Sequence, residues 1–151
     1  MLVNHFKSKG FGGLAQSNAR RKSQAARVKQ IYEALAASGH HHVAVVGDLN
    51  DTPASDPLEP LIGQTDLRDV FLHPSFDDGG FPGTFGGCTA SNKIDYLLLS
   101  PALFAKVQTG GVIRQGMWPG VKPVKWSVLD TLTKPVEAAS DHAAVWVDLD
   151  L

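Results

Sequence analysis

The sequence predicts an α/β protein of the α+β type, with a mixed β-sheet and one long helix. Three features carry that expectation: a long segment with helical spacing, several short apolar runs that stop on polar clusters, and one alternating run. Leu2–Lys7 reads as a short strand, and the glycine-rich "SKGFGGLAQ" as a loop. A helix is expected from Ser17 or Asn18 to Ser38. Val28, Ile31, Tyr32 and Leu35 fall on one stripe, Ser17 or Asn18 caps the start, and Gly39 ends it. "HVAVVGDLN" has apolar residues that do not alternate, as in a strand covered on both faces. Pro53, Pro57 and Pro60 restrict the next stretch to a loop with at most a short helical turn.

"DLRDVF" is expected to form a brief helix or strand, and "DDGGFPGTFGGCTASN" a long turn-rich loop. In "KIDYLLLS", Ile94, Tyr96 and Leu98 alternate with Asp95, Leu97 and Leu99, the pattern of a strand. Residues 100–139 are irregular, with a strand near Val112–Ile113, and "HAAVWVDLD" closes the chain as a further strand.

A chain of 151 residues fits one domain, or one lobe of a larger one. With 43% hydrophobic and 19% charged residues it is an ordinary globular mixture rather than a disordered one. No apolar run approaches the roughly 20 residues of a membrane span, and no targeting signal or compartment is legible. Cys88 is the sole cysteine, which excludes an internal disulfide and a multi-cysteine zinc site. It reads as a small loop residue. The net charge is -1, yet Lys7, Lys9, Arg20, Arg21, Lys22, Arg27 and Lys29 are half of the 14 Lys and Arg, and no acid precedes Glu33. This asymmetry suits either an anionic partner or a solvated helix face and basic loop.

The polar clusters "NHFKS", "GDLND", "KIDY" and "SDHAA" lie at strand tips, where a rigid sheet can hold side chains in register. In an extended backbone Asp48 and Asn50 would share one side while Leu49 points into the core. The pair can serve a water and an anionic oxygen, or simply form an Asx turn. Asp141 and His142 can border a cleft and serve a metal and a proton transfer, or sit in an incidental turn. Asp95 interrupts an apolar strand and needs a partner if buried. His142 and His5 are the candidates, by the base-plus-orienter logic of catalytic pairs.

"NHF", "GDLN", "IDY" and "SDH", in that order from Asn4 to His142, resemble the endonuclease/exonuclease/phosphatase superfamily, the relatives of DNase I. "NHFKSKG" and "GDLNDTPASDPL" look most like its bacterial extracellular-nuclease type. The resemblance implies a four-layer αββα sandwich that cleaves phosphoesters with Mg²⁺, or with Mn²⁺ or Ca²⁺. It implies that His5 contacts the scissile phosphate and Asp48 orients or deprotonates the attacking water. Asn50 would hold a phosphate oxygen, Asp95 would orient His142, and Asp141 would lie near the metal. Asn4 and Lys7, in the first motif, are expected to contact substrate.

The resemblance also implies a missing half. The family's N-terminal half supplies a metal-binding glutamate, whereas Glu33, Glu59 and Glu137 are not at strand tips. Residues 1–151 are therefore expected to be a C-terminal lobe. The uncovered sheet face is expected to bind an N-terminal lobe or a second copy. The expected partner is nucleic acid or another phosphoester, with a non-catalytic nucleic-acid- or phosphate-binding lobe as the alternative. A phosphomonoesterase or a lipid phosphodiesterase of the same fold also stays open. His40-His41-His42 reads as a solvated turn. Trp146 is expected in the core, and Trp118 and Trp126 either shape substrate choice by stacking on bases or do not.

Overall fold

The computed structural model describes residues 1–10, 12–120 and 125–151. Phe11 of the glycine-rich loop and residues 121–124 of the irregular late stretch lie outside the described residues. The elements run β1 (Leu2–His5), α1 (Leu14–Ala37), β2 (Ala44–Asp48), α2 (Glu59–Ile62), β3 (Arg68–Asp69) and β4 (Phe76–Asp77). They continue with β5 (Asp95–Leu99), α3 (Pro101–Phe104), β6 (Val107–Ile113) and β7 (Ala144–Leu149).

The long helix forms where its spacing predicts, but it begins one turn early. Gly13 precedes it without a side-chain cap. Ser17, an expected cap, is buried within the helix, and Asn18, the other, accepts a hydrogen bond from Arg21. These polar side chains are matched inside the fold, so neither is needed to close the helix end. The stop is as expected. Gly39 takes φ of 90°, and its N–H donates to the Ala36 carbonyl. A left-handed residue at that point favours glycine. The inner face of α1 buries Arg21, Ala25, Val28 and Tyr32. Full burial of one large apolar side chain is worth roughly 1.5–3 kcal/mol, so packing rather than propensity holds the helix.

Two sheets form. The first has order β1-β2-β5-β3, with β1 and β2 parallel and the other pairs antiparallel. The second has order β4-β6-β7, with β4 and β6 parallel and β6 and β7 antiparallel. "DLRDVF" supplies both alternatives, the short strand β3 followed by a tight 3-10 turn over Val70–Leu72. The expected strand at Val112–Ile113 is the end of a longer one, β6. β1 stops at His5 rather than at Lys7.

Period two decides the layers. Val45, Tyr96 and Leu98 face α1 and pack with Phe6, Val28, Tyr32, Leu58 and Leu61. Ala44, Leu97 and Leu99 face the second sheet and meet Phe76, Val107, Val145, Val147 and Leu149. The described residues thus form three layers, helix, sheet and sheet, as in a lobe of a four-layer sandwich.

The same alternation corrects the expectation for Trp146. Val145, Val147 and Leu149 point inward, so Trp146 points outward and is 37% exposed, against Gly111. Val3 is 72% exposed on β1, an edge strand of the first sheet. Among the described residues no helix is long and apolar enough to cross a membrane.

Candidate active site

The strand tips converge as their sequences suggest, and the pairing register shows how. His5 of β1 lies opposite Asp48 of β2, and Asp48 lies opposite Asp95 of β5. The three residues form one row across three neighbouring strands, on the face turned away from α1. His5 Nε2 is 3.6 Å from Asp48 Oδ2, and the His5 side chain is 75% exposed.

The strands β1 and β2 approach closely beside this row. Gly47 has φ of 126°, and a Cβ there would lie 1.9 Å from the Asn4 carbonyl oxygen. Only glycine permits that seam.

Asn50 reaches Asp48 by a different route from the one its spacing implies. β2 ends at Asp48, and Leu49 turns fully into the core. Asn50 then adopts a left-handed φ of 55°, which Asn tolerates better than most residues. Its backbone N–H donates to Asp48 Oδ1 at 2.7 Å, and its amide donates to Asp48 Oδ2 at 2.9 Å and to the Phe6 carbonyl at 3.1 Å. The Asx turn and the polar site are therefore one arrangement.

Burial raises the Asp48 carboxyl above its ordinary value. The Asn50 N–H lowers it, the Asp95 charge raises it, and His142 and His5 lower it. A half-buried carboxylate raised in this way is better suited to accept a proton than an exposed one.

His142 comes from the chain just before β7. Its Nδ1 lies 3.1 Å and 2.9 Å from the two Asp95 oxygens. Nδ1–H donates to that carboxylate, which leaves Nε2 for the groove. The His142 ring lies 4.9 Å from that of Phe85, and the two backbones form an isolated bridge. A groove of about 380 Å³ opens here, lined by Lys9, Asn50, Phe85, Asn92, Ile94 and His142 among others.

The other predicted residues fall outside this row. Asn4 is on the opposite face of β1 from His5, and its amide donates to the Leu2 carbonyl. The Lys7 ammonium donates to the Ser8 carbonyl at 2.8 Å. Asp141 is exposed beside His142, and its carbonyl accepts from the Gly86 N–H.

Among the described residues, Asp48, Asp95 and His142 offer ligand atoms that all lie within 4.8 Å of one another. Two carboxylates and an imidazole are a donor set that fits a divalent cation. His40, His41 and His42 are exposed, as a solvated turn should be, and Cys88 is buried in its loop.

Several supporting residues escape a reading of motifs. Lys93 is almost wholly buried. Its ammonium pairs with Asp69 at 2.9 Å, donates to the Asp95 carbonyl at 2.6 Å and lies 3.7 Å from the Tyr96 ring centroid. Thr84 is buried too. Its hydroxyl accepts the N–H groups of Ile94 and Asp95, and its carbonyl accepts that of Ala143, so it ties β5 to the chain that carries His142.

Arg21 is completely buried. It donates to Asp51 Oδ2 at 3.0 Å, to the Lys7 carbonyl at 2.8 Å and to Asn18. This ties the loop after β1 to the loop after β2. The basic cluster is accordingly divided. Arg21 and Lys9 pair with Asp51, Lys22 pairs with Asp56, and Lys29 pairs with Glu33.

The layers and this row of side chains are those of the endonuclease/exonuclease/phosphatase fold. The model of the endonuclease/exonuclease/phosphatase family matches residues 9–142, and the chain belongs to that family. Solved structures agree on the fold. A mannosyl-6-phosphatase from Bacteroides thetaiotaomicron shares 19% identity with a TM-score of 0.63, over 88% of this chain and 46% of that one. A 3'-5' exonuclease from Neisseria meningitidis shares 19% identity with a TM-score of 0.60, over 99% of this chain and 60% of that one. A sphingomyelinase C from Streptomyces griseocarneus shares 17% identity with a TM-score of 0.54, over 98% of this chain and 48% of that one. The chain thus spans about half the length of these structures. No curated protein matches it.

Proposed function

We propose that the chain carries the phosphate-binding and water-activating part of a divalent-metal-dependent phosphodiester hydrolase acting on nucleic acid. The observation that carries this reading is the row His5, Asp48 and Asp95 in register, with Asn50 and His142 folded over it. Asp48 accepts a proton from the attacking water. The Asn50 amide, exchanging its bond to the Phe6 carbonyl for one to the substrate, and the His142 Nε2–H donate to the phosphate oxygens as negative charge builds on them. Asp95 holds the His142 ring in place through Nδ1. His5, the most open member, reaches the phosphate from the β1 side.

Asp48 and Asp95 would hold the cation, with Asp141 nearby, while the His142 ring nitrogens stay with Asp95 and the phosphate. When bound it would neutralise developing charge on the phosphate. A neighbouring structure, a Neisseria 3' phosphatase, is bound to a product DNA hairpin, which supports nucleic acid as the first substrate class.

Residues 1–151 act in this reading as one lobe. Two separate exposed apolar places are open to a complementing lobe or a second copy, Val3 on the edge strand β1 and Ile113 with Trp146 on the outer face of the second sheet.

The test is hydrolysis of plasmid DNA, sphingomyelin and sugar phosphates by the protein, with and without Mg²⁺. DNA cleavage that EDTA stops, and that both Asp48→Asn and His142→Ala abolish, supports the reading. Full turnover in both variants refutes the site. Preference for sphingomyelin or a sugar phosphate refutes the substrate class.

A further inference from the structure

A second open cavity, of about 480 Å³, adjoins the catalytic groove along two chain segments. Phe85 and His142 line the groove, while their neighbours Gly86 and Asp141 line this cavity. The Gly86 N–H donates to the Asp141 carbonyl at 2.9 Å, so the two segments are joined as a wall between the groove and the cavity. The cavity has apolar walls, with Met117, Trp118, Pro119 and Pro135 among its lining.

Its polar groups are few. Lys125 places its ammonium 3.1 Å from the Gly87 carbonyl. The Ser140 hydroxyl accepts the His142 N–H at 2.9 Å, and the Asp141 carboxylate is exposed.

The three indoles are used differently. Trp126 donates to the Met117 carbonyl at 3.4 Å and meets Phe81 edge-on at 5.5 Å. Trp146 lies against Gly111 on the outer face of β7. Trp118 is half-buried and lines the cavity, and no hydrogen bond or ring contact to another described residue holds its indole. An apolar-walled space with a ring on one side and a carboxylate, a hydroxyl and an ammonium at its edges suits a flat heterocycle with polar edges.

We propose that this cavity is a stacking subsite, with Trp118 as its platform, for the nucleobase flanking the phosphate held at His142. The proposal rests on the nucleic-acid reading above and adds a specificity-determining residue to it. The indole face takes the base. The Asp141 carboxylate is placed to accept from an exocyclic amine, and Lys125 to donate to a ring carbonyl or to the next phosphate. Stacking of this kind tolerates many sequences, since every base has a π-face.

The experiment compares binding of two labelled short single strands by fluorescence anisotropy, one with bases and one of the same length made of abasic sugar-phosphate. The proteins are the full chain and its Trp118→Ala and Trp118→Phe variants, each with its fold checked by circular dichroism. Trp118→Ala is expected to weaken binding of the base-bearing strand about tenfold or more. Trp118→Phe should restore most of that loss, and binding of the abasic strand should be the same in all three proteins. Equal binding of the base-bearing strand by wild type and Trp118→Ala overturns the subsite alone. A matching loss for the abasic strand does the same, because it shows a general structural effect. If neither strand binds the wild-type chain, the subsite and the nucleic-acid reading fall together.

Discussion

Replacing Arg21 by Met removes the charge that joins the loops after β1 and β2 while leaving an apolar stem of similar reach. Arg21 is fully buried, and the Asp51 side chain on which it rests is 6% exposed. The substitution strips one of the two cations from Asp51 and removes the hydrogen bonds that Arg21 gives to the Lys7 carbonyl and the Asn18 amide oxygen. Breaking a buried ion pair from one side costs about 3–5 kcal/mol. Asp51 keeps Lys9 at 2.6 Å and the Thr52 N–H, which places the expected loss near the lower end, about 3 kcal/mol. That is a large share of the roughly 5–15 kcal/mol that stabilises a typical domain.

Urea unfolding followed by tryptophan fluorescence measures the loss, and a double-mutant cycle with Asp51→Asn isolates the pair. The pH dependence adds a sign. Burial pushes the Asp51 carboxyl up, but the Lys9 and Thr52 hydrogen bonds and the Lys9 and Arg21 charges outweigh it, so the net shift is downward from 3.8. A depressed carboxyl contributes stability above its unfolded value and loses it as pH falls through its folded value. The gap between wild type and Arg21→Met should therefore be full at pH 6 and narrow below about pH 4. A loss under about 1 kcal/mol at pH 6, or a gap that widens in acid, would refute the argument.

Three further outcomes are expected. Gly47→Ala should cost about 3 kcal/mol or more, since the new Cβ would meet the Asn4 carbonyl and the φ of 126° is strained for alanine; a thermal melt unchanged within error would contradict it. Because Asp48 is raised, the turnover of active protein should fall on the acid side at a pH above the ordinary carboxylate value of 3.8, and a rate flat down to pH 4 would count against Asp48 as the base. Asp48→Asn paired with Asp95→Asn should weaken Mg²⁺ binding in calorimetry at least tenfold, whereas unchanged binding would move the cation elsewhere.

β1, β2, β5, β7 and the long helix are legible in the sequence because their spacing is a direct image of packing, whereas β4, α3 and most of β6, in stretches without a clear period, are not. Val45, Tyr96 and Leu98 alternate with residues of the opposite face since two different layers cover the sheet. A carboxylate within an apolar strand needs a cation or donor, which leaves His142 and His5 as candidates for Asp95, and the folded chain brings His142 to it. The start of α1 is misplaced because Ser17 and Asn18 are cap-type residues that the fold uses inside the helix. Trp146 is expected in the core because it lies in a strand, although its place in a two-residue period determines its face. Arg21 and Lys93 were not legible as buried residues. Their partners, Asp51 and Asp69, are remote in sequence, and only the folded chain brings them together.

The row formed by residues 5, 48 and 95 has a consequence for how such a chain can diverge. Adjacent strands are about 4.8 Å apart, so the sheet acts as a fixed comb whose teeth set the spacing of the reacting groups. Deleting one residue within Ala44–Asp48 would turn Asp48 to the α1 side, and a slip of two residues would restore the face but shift the carboxylate about 6.6 Å along the strand. Length changes are thus confined to exposed connections between the teeth, such as the turn Thr89–Ser91 at the groove. Those connections are free to remodel the walls of the groove without altering the spacing of the groups at its base.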